Sequence, residues 1–453
     1  MKAKYFITRC GFLVLLIVSM VGMIGCMSKE ALENFPKNEI ILEKSATFPQ
    51  NDFKDADMVI KVPDTAPPHL KTLGTWSDIC LAQEVIKPLS LYDGRHHIAY
   101  FTKAHQGYLY SVVENADEPD PPAGVQNVFK RNTLHRVHET GSLVFEDEKS
   151  RFITPENKGW RITYFAVSDH YIWWCEVDDA SSSWKLYEMP ISGGKPSILL
   201  EDSHVNYLLS MSPSRMSADQ DRLVFQAYDS VSQEDRIYLR LPAQNDTKIL
   251  ARHNRKNLGY FYDPKISGDK VAWSKAQIIN EEREMGWCYF YDLTSNTCTG
   301  IDAGKRCFTE PTITGNHLCV RLKPEGQNFI DHDPQGKNGE DDANTYDSAE
   351  IWHYDLAKKT WDFRISNKSP LYQVIGCYPI TLLQLNSNSH YLTWRTEPET
   401  AHPFIVDLDT QIAYQVPIAK GDGVRINGMD IVSEGLYWKG TEKNAPLNKA
   451  LLK

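Results

Sequence analysis

Oxygen-bearing side chains at alternate positions make the segment 331–342 well suited to hold a metal ion. Its twelve residues partly match a twelve-residue calcium-binding loop. In such a loop, alternate positions and the last residue supply oxygen ligands, and a central glycine makes the sharp turn. The predicted ligands are the side chains of Asp331, Asp333, Gln335 and Asp342 and the main-chain carbonyl of Lys337. Calcium is therefore the candidate cofactor.

The same segment also has a simpler interpretation as a solvated acidic loop between two strands. Gln335 is a weaker ligand than a carboxylate, and Asp342 stands where a bidentate glutamate is usual. The flanking sequence shows no amphipathic helix on either side, whereas an EF-hand has one on both. The sequence leaves both interpretations open.

Three tryptophans that are close in the sequence raise the prospect of a surface for stacking sugar rings. They are Trp173, Trp174 and Trp184. Neighbouring residues of a strand face opposite ways, so one of the adjacent pair would pack between two sheets and the other on the opposite face. The pattern therefore favours packing in the core over a sugar-binding platform.

Signatures of common hydrolases and nucleotide enzymes are missing from the sequence. It contains no G-x-S-x-G nucleophile elbow, no H-E-x-x-H zinc motif and no P-loop. The 59 acidic residues leave a carboxylate pair for sugar hydrolysis open, because such pairs arise in any acidic chain. The formal net charge of −10 repels phosphate backbones and argues against a nucleic-acid partner. The balance favours binding over catalysis.

The first 26 residues have the features of a bacterial lipoprotein signal. A positively charged start is followed by the apolar run 12–24, which suits a signal peptide and is short for a transmembrane helix. The run ends in Met-Ile-Gly-Cys, which resembles the lipobox, where a small residue precedes the cysteine that receives lipid. An ordinary secretory signal is the alternative. Cys26 is thus predicted to anchor the chain to a membrane.

A motif of strand-forming residues recurs through the second half of the chain. Each copy is an aromatic-rich run that contains a polar or charged residue followed by an apolar one. The polar positions are Glu188, Arg240, Asp292, Asp355 and Asp407, spaced by 52, 52, 63 and 52 residues. The long interval holds the acidic segment described above. Around Asp292 the unit is predicted to contain four short strands separated by turn residues, which indicates an all-β fold.

This repeat resembles the blades of TolB-like β-propellers, a branch of the wider WD-repeat-like class. The resemblance is carried by second-strand runs such as Arg222-Leu-Val-Phe and by third-strand runs such as Tyr291-Asp-Leu, and it covers roughly residues 80–440. Counting the strand runs along the chain gives seven four-stranded blades, with six or eight also possible. Only two strands follow the Asp407 copy, so N-terminal strands are expected to complete the last blade and pair its open edge. Glu39–Leu42 and Met58–Val62 are the segments predicted to do so, beside two C-terminal strands.

The predicted organisation is a signal peptide at 1–25, a lipid-anchored tether at 26–38 and the propeller at 39–445. Met27 follows the lipidated cysteine, with no aspartate that would retain the protein at the inner membrane. The chain is therefore expected on the extracytoplasmic face of the cell envelope, at the outer membrane if the host is Gram-negative.

Two binding or catalytic functions remain open at this point, and a purely structural or sensory spacer is the third alternative. The first is a non-catalytic envelope lipoprotein whose propeller binds a protein or glycan partner. The second is a metal-dependent, lyase-like enzyme that acts on polysaccharide. A resemblance to oligogalacturonate lyase would require histidines of different blades to meet at one metal. His317, His353 and His390 are among the candidates, although structural histidines are more common on strands.

Overall fold

The computed structural model describes most of the chain from residue 53 onwards. The described residues are 53, 55–86, 97–114, 132–138, 151–157, 159–178, 183–202, 216–254, 259–280, 283–323, 349–375, 381–388, 390–397, 404–417, 424–432, 435–440 and 447–453. The predicted anchor Cys26 and the predicted calcium ligands Asp331, Asp333, Gln335, Lys337 and Asp342 lie outside them and stay predictions.

The described strands form seven sheets, numbered I to VII here, each built on four antiparallel strands; sheets IV and VI have a fifth, parallel strand. Strands are numbered in chain order. Sheet I consists of β4 (His97–His105), β5 (Tyr108–Glu114), β6 (Asn132–His138) and β7 (Arg151–Ile153). Sheet II consists of β8 (Arg161–Val167), β9 (Tyr171–Asp178), β10 (Ser183–Pro190) and β11 (Ser197–Asp202). Sheet III consists of β12 (Met216–Asp219), β13 (Arg222–Asp229), β14 (Glu234–Leu241) and β15 (Asp246–Asn254).

The remaining sheets follow the same order of strands. Sheet IV consists of β16 (Gly259–Ser267), β17 (Lys270–Asn280), β18 (Arg283–Asp292) and β19 (Thr297–Asp302). Sheet V consists of β20 (Cys307–Thr314), β21 (His317–Lys323), β22 (Glu350–Asp355) and β23 (Thr360–Ile365). Sheet VI consists of β24 (Thr381–Ser387), β25 (Tyr391–Glu397), β26 (Phe404–Asp407) and β27 (Ile412–Gln415). Sheet VII consists of β28 (Val424–Val432), β29 (Gly435–Gly440), β30 (Leu447–Leu452) and β3 (Cys80–Ile86).

Helices contribute little to the described residues. They are α1 (Trp76–Ile79), α2 (Pro370–Ile375) and a 3-10 turn at Pro242–Gln244. None of the helices in the described part has the length and apolar character needed to cross a membrane.

Apolar clusters between consecutive sheets form the core. Within the described residues, each of the six junctions from I–II to VI–VII has its own cluster. The first strand of every sheet contacts the first strand of the next, and β28 also contacts β4. A sheet with two apolar faces must cover both of them, and stacking on a neighbour at each side does so. The prediction of an all-β fold built from four-stranded units is confirmed, while the seven-blade count stays a prediction.

Aromatic pairs across the second and third strands recur at the same position of sheets II, III and IV. In each pair the two residues are register partners and their rings are stacked. The pairs are Trp174–Tyr187, Phe225–Tyr238 and Trp273–Tyr289, with ring centroids 5.2, 5.0 and 6.0 Å apart. Such cross-strand pairs contribute roughly 0.2–1 kcal/mol each and favour one register. This explains why the repeat is rich in aromatic residues.

The aspartates of the repeat have a local structural role at the end of the third strand. The Oδ1 atoms of Asp292, Asp355 and Asp407 each accept hydrogen bonds from the amides two and three residues further on, at 2.8–3.2 Å. An aspartate that satisfies two turn amides fixes the hairpin to the fourth strand. The repeated Asp-Leu element is therefore a turn signal, and its regular spacing reflects one hairpin in each sheet.

An N-terminal segment runs along the outer edges of sheets IV to VII, and we call residues 55–86 the belt. Strand β1 (Met58–Lys61) pairs in parallel with β19, and His69 forms a parallel bridge with Arg364 of β23. Strand β2 (Leu73–Gly74) pairs in parallel with β27. Strand β3 then becomes the fourth strand of sheet VII, antiparallel to β30. The belt thus covers edges that would otherwise leave backbone groups unpaired.

The last sheet contains strands from both ends of the chain, and it includes the two expected C-terminal strands as β28 and β29, but its N-terminal strand is not the expected one. Sheet VII takes three C-terminal strands rather than two, and β30 lies beyond residue 445. Its N-terminal strand is Cys80–Ile86, whereas Met58–Lys61 pairs with sheet IV. Glu39–Leu42 lies outside the described residues. The expectation for Met58–Val62 was wrong because a short apolar run of this kind fits any exposed sheet edge equally well.

Candidate functional site

A cavity of about 610 Å³ opens between sheets II and III, and we call it the II–III cavity. It lies where β10 begins, where β11 ends and where the turn joins β13 to β14. It is lined by Trp160, Ser183, Trp184, Lys185, Leu200, Glu201, Asp202, Tyr228, Asp229, Ser230, Val231 and Tyr238. The volume falls within the range of about 300–1,000 Å³ that is usual for small-ligand sites.

Aromatic rings form the walls of the cavity. Trp184 and Tyr238 are buried in the cluster between the two sheets, so their positions are fixed by packing. Trp160 is half-buried, and the Nζ atom of Lys185 lies 5.7 Å from its ring centroid. Val231 is 95% exposed at the rim. A rigid aromatic wall beside an exposed apolar side chain is a surface suited to contact a partner.

The charged groups of the cavity are engaged with each other. Lys185 Nζ lies 3.3 Å from Glu201 Oε2, and Glu201 is 57% exposed. Asp202 accepts hydrogen bonds from the amide and the hydroxyl of Ser230 at 3.2 and 3.0 Å, which joins sheet II to sheet III. These contacts hold the cavity in shape before any ligand binds.

The turn between β13 and β14 is organised by Arg236. Its guanidinium contacts Asp229 and lies 2.8 Å from Glu234 Oε2 and 3.3 Å from the hydroxyl of Tyr238. Burial alone would raise the pKa of Asp229, but hydrogen bonds from the turn and the charge of Arg236 hold that pKa below its usual value. Asp229 is therefore a carboxylate at neutral pH and adds to the negative character of the cavity.

A buried carboxyl group supports the loop that carries Trp160. Glu176 is fully buried and accepts hydrogen bonds from the amide of Glu156 at 3.1 Å and from Trp174 Nε1 at 2.9 Å. Burial raises the pKa of Glu176. Burial, with the nearby charge of Glu176, also raises the pKa of Tyr187 to about 12. Glu176 thus ties the loop before β8 to the middle of sheet II.

The tryptophans noticed in the sequence are found mainly in the core. Trp174 packs between sheets I and II, and Trp173 packs between sheets II and III, so adjacent residues do face opposite ways. Trp184 is almost fully buried but lines the cavity with one edge. The sequence reasoning did not single out Trp160. Its only local signal is the preceding glycine, which marks a turn before β8.

Histidines of sheets V and VI lie close together, and they form a chain of hydrogen bonds through Asp409. His317 Nδ1 lies 2.9 Å from His353 Nε2, and His317 Nε2 lies 3.2 Å from Asp409 Oδ1. His390 of sheet VI lies 3.3 Å from the other oxygen of Asp409, and His353 Nδ1 is 3.9 Å from Asp362. No group of three or more potential ligands among the described residues is arranged to hold a metal ion.

Comparison with known proteins shows likeness at the level of the fold. The sequence matches no protein-family model and no curated protein. Among solved structures, a prolyl endopeptidase has a TM-score of 0.51 at 10% identity over 78% of this chain and 46% of its own. This chain therefore spans about half of that enzyme's length. The fold is a β-propeller.

Two further solved structures show weaker similarity. The β-propeller domain of the Trilobed protease from Pyrococcus furiosus has a TM-score of 0.49 at 13% identity, over 78% of this chain and 93% of its own. TolB from Acinetobacter baumannii has a TM-score of 0.33 at 11% identity, over 77% and 78%. The predicted TolB-like and WD-repeat-like fold is confirmed. The fold does not show the function, because propellers serve unrelated functions.

Proposed function

We propose that this propeller is a lipoprotein of the bacterial cell envelope that binds a protein or glycan partner in the II–III cavity and does not catalyse a reaction. The observation that carries the proposal is the preformed cavity itself. It combines aromatic walls with carboxylates whose positions are already fixed by Lys185, Ser230 and Arg236. Fixed polar groups around an apolar wall give affinity and orientation without an ordering cost on binding.

The anchor would attach the propeller by its rim. The first described residue, Phe53, packs between sheets III and IV, with its ring 5.7 Å from that of Tyr289. The belt then follows the edges of sheets IV to VII. A tether from Cys26 that reaches Phe53 would therefore leave the II–III cavity uncovered by the belt.

Membrane attachment is tested by replacing the predicted lipidation site. The Cys26→Ser variant should move from the membrane fraction to the soluble fraction and should no longer incorporate labelled palmitate. A single acyl chain binds membranes only marginally, so loss of the whole lipid group should release nearly all of the protein. A Cys80→Ser variant is the control and should stay at the membrane. A Cys26→Ser protein that remains lipidated would exclude the anchor.

Use of the cavity is tested with a photo-reactive amino acid placed at Val231 and, as control, at exposed Lys195 on the opposite end of sheet II. In intact cells, irradiation should yield an adduct with one envelope component from position 231 only. Adding Trp160→Ala should reduce that adduct by about thirty-fold, the effect of losing about 2 kcal/mol from an aromatic anchor. Equal adducts from both positions, or none from either, would contradict the proposal.

A further inference from the structure

The outer edges of the seven sheets differ in how they are protected, and one of them adjoins the II–III cavity. The belt covers β19 and β27 with parallel strands and bridges β23 at Arg364. Strand β7 is only three residues long, so it offers few backbone groups with which another strand could pair. Short or covered edges are ordinary protections against unwanted strand pairing.

Strands β11 and β15 differ in where charged side chains lie along the edge, since the first four residues of β11 are uncharged. Strand β15 has exposed Lys248 and Arg252 along its length, and charged side chains disfavour the approach of another strand. Strand β11 reads Ser-Ile-Leu-Leu-Glu-Asp and places Ile198, 47% exposed, in its first half. Among the described strands it is the end strand of sheet II, and its last three residues line the II–III cavity.

Three other sheets of this protein show that the fourth strand can pair with an added segment of chain. In sheets IV and VI, an extended segment of the same chain adds to the fourth strand in parallel orientation, and the bridge in sheet V is parallel as well. Strand β11 is the fourth strand of sheet II, so its edge has the same geometry as those three. A strand added in parallel to β11 would have its C-terminal end at Glu201 and Asp202, beside the cavity.

The charges near the C-terminal end of β11 indicate which side chain of an added strand would suit this position. Glu201 is exposed, and Asp229 across the cavity is held as a carboxylate. Glu201 is paired with Lys185 on only one side and stays 57% exposed. A Lys or Arg at the C-terminal end of an added strand would meet this exposed carboxylate.

From these observations we infer that the partner is a protein segment that adds to β11 as a parallel strand and places a basic residue in the II–III cavity. This inference deepens the proposed function and rests on it. Main-chain hydrogen bonds along β11 supply affinity, and the cavity selects the basic side chain, as in other cases of strand addition. Ile198 offers an apolar contact to alternate residues of the added strand.

The inference is tested with two synthetic peptides and the full chain. One peptide has Thr-Val-Thr-Ile-Thr-Val followed by Lys-Arg, and the other has Lys-Arg moved to its N-terminus. Calorimetry should give at least tenfold tighter binding for the first peptide. Hydrogen exchange at residues 197–202 should slow only when that peptide is present. Equal affinities of the two peptides, or protection elsewhere, would overturn the inference.

Two surface variants and one control complete the test. Ile198→Lys places a charge on the edge of β11, as Lys248 does on β15, and Glu201→Lys reverses the charge at the cavity. Each variant should weaken binding of the first peptide at least tenfold. Thr247→Lys on β15 should leave binding unchanged. If a glycan binds in the cavity and Ile198→Lys does not affect it, this inference fails while the proposed function stands. Dimerisation of the chain through β11 in sedimentation experiments would also overturn it.

Discussion

Replacing Arg240 by alanine should lower the free energy of unfolding by about 3–5 kcal/mol, because it leaves the buried Glu188 carboxylate without its counter-charge. The two side chains are both buried and make two hydrogen bonds, at 2.8 and 3.0 Å, between sheets II and III. Trp173 Nε1 donates a further bond to the same carboxylate at 2.9 Å. Chemical denaturation followed by tryptophan fluorescence measures the loss.

A double variant distinguishes the effect of the lost counter-charge from the effect of lost packing. Glu188→Gln combined with Arg240→Met removes both charges and keeps an acceptor for Trp173, so it should be less destabilising than Arg240→Ala alone. Arg252→Ala is the control in the same sheet. Arg252 is largely exposed and 3.9 Å from Glu234, so its loss should cost less than about 1 kcal/mol. Equal costs for both arginines would show that burial of the pair is unimportant.

Acidification from pH 6.5 to 4 should remove about 3 kcal/mol of stability through His353 alone. Burial and the charge of His317 lower the pKa of His353 from 6.5 to about 4, against the opposing charges of Asp362 and Asp355. The unfolded chain therefore binds a proton at a higher pH than the folded chain does. The stabilisation is complete above pH 6.5 and is lost progressively as the pH falls towards 4.

The contribution of His353 is isolated by comparing pH profiles of stability. The His353→Gln variant should show a flatter loss between pH 6.5 and 4 than the unmodified protein, whatever its stability at neutral pH. His390→Gln is the matched control, because His390 is exposed and touches the same aspartate as His317. Its profile should follow that of the unmodified protein. Parallel profiles for the His353→Gln variant and the unmodified protein would show that the imidazole is protonated in the folded state.

Much of the architecture was predictable from local patterns. The aspartates at 292, 355 and 407 make the same turn in three sheets, so their spacing reports the length of one four-stranded unit directly. Aromatic register pairs such as Trp273–Tyr289 left an equally periodic signal. The direction in which Trp173 and Trp174 face followed from strand alternation. These features depend on residues near each other in the chain, which is why the sequence displays them.

The path of the belt could not be predicted in the same way. Met58–Lys61 and Cys80–Ile86 are both short apolar strands, and nothing within them specifies which edge each one joins. The choice depends on distant partners such as Gly300, where the absence of a side chain leaves room for Phe53. The closing strand was therefore misplaced in the expectation, although the participation of the N-terminal region was foreseen.

The sequence by itself determined the repeat, the strand content and the turns, because each is set by side chains within a single unit. Only the tertiary structure decided the II–III cavity and the line of histidines. Trp160, Glu201 and Val231 belong to different segments of sheets II and III, and they line one cavity because the two sheets stack face to face. His317 of sheet V likewise reaches Asp409 of sheet VI only through the contact of the two sheets. Such groupings follow from packing between units, for which the periodicity of a single chain carries no signal.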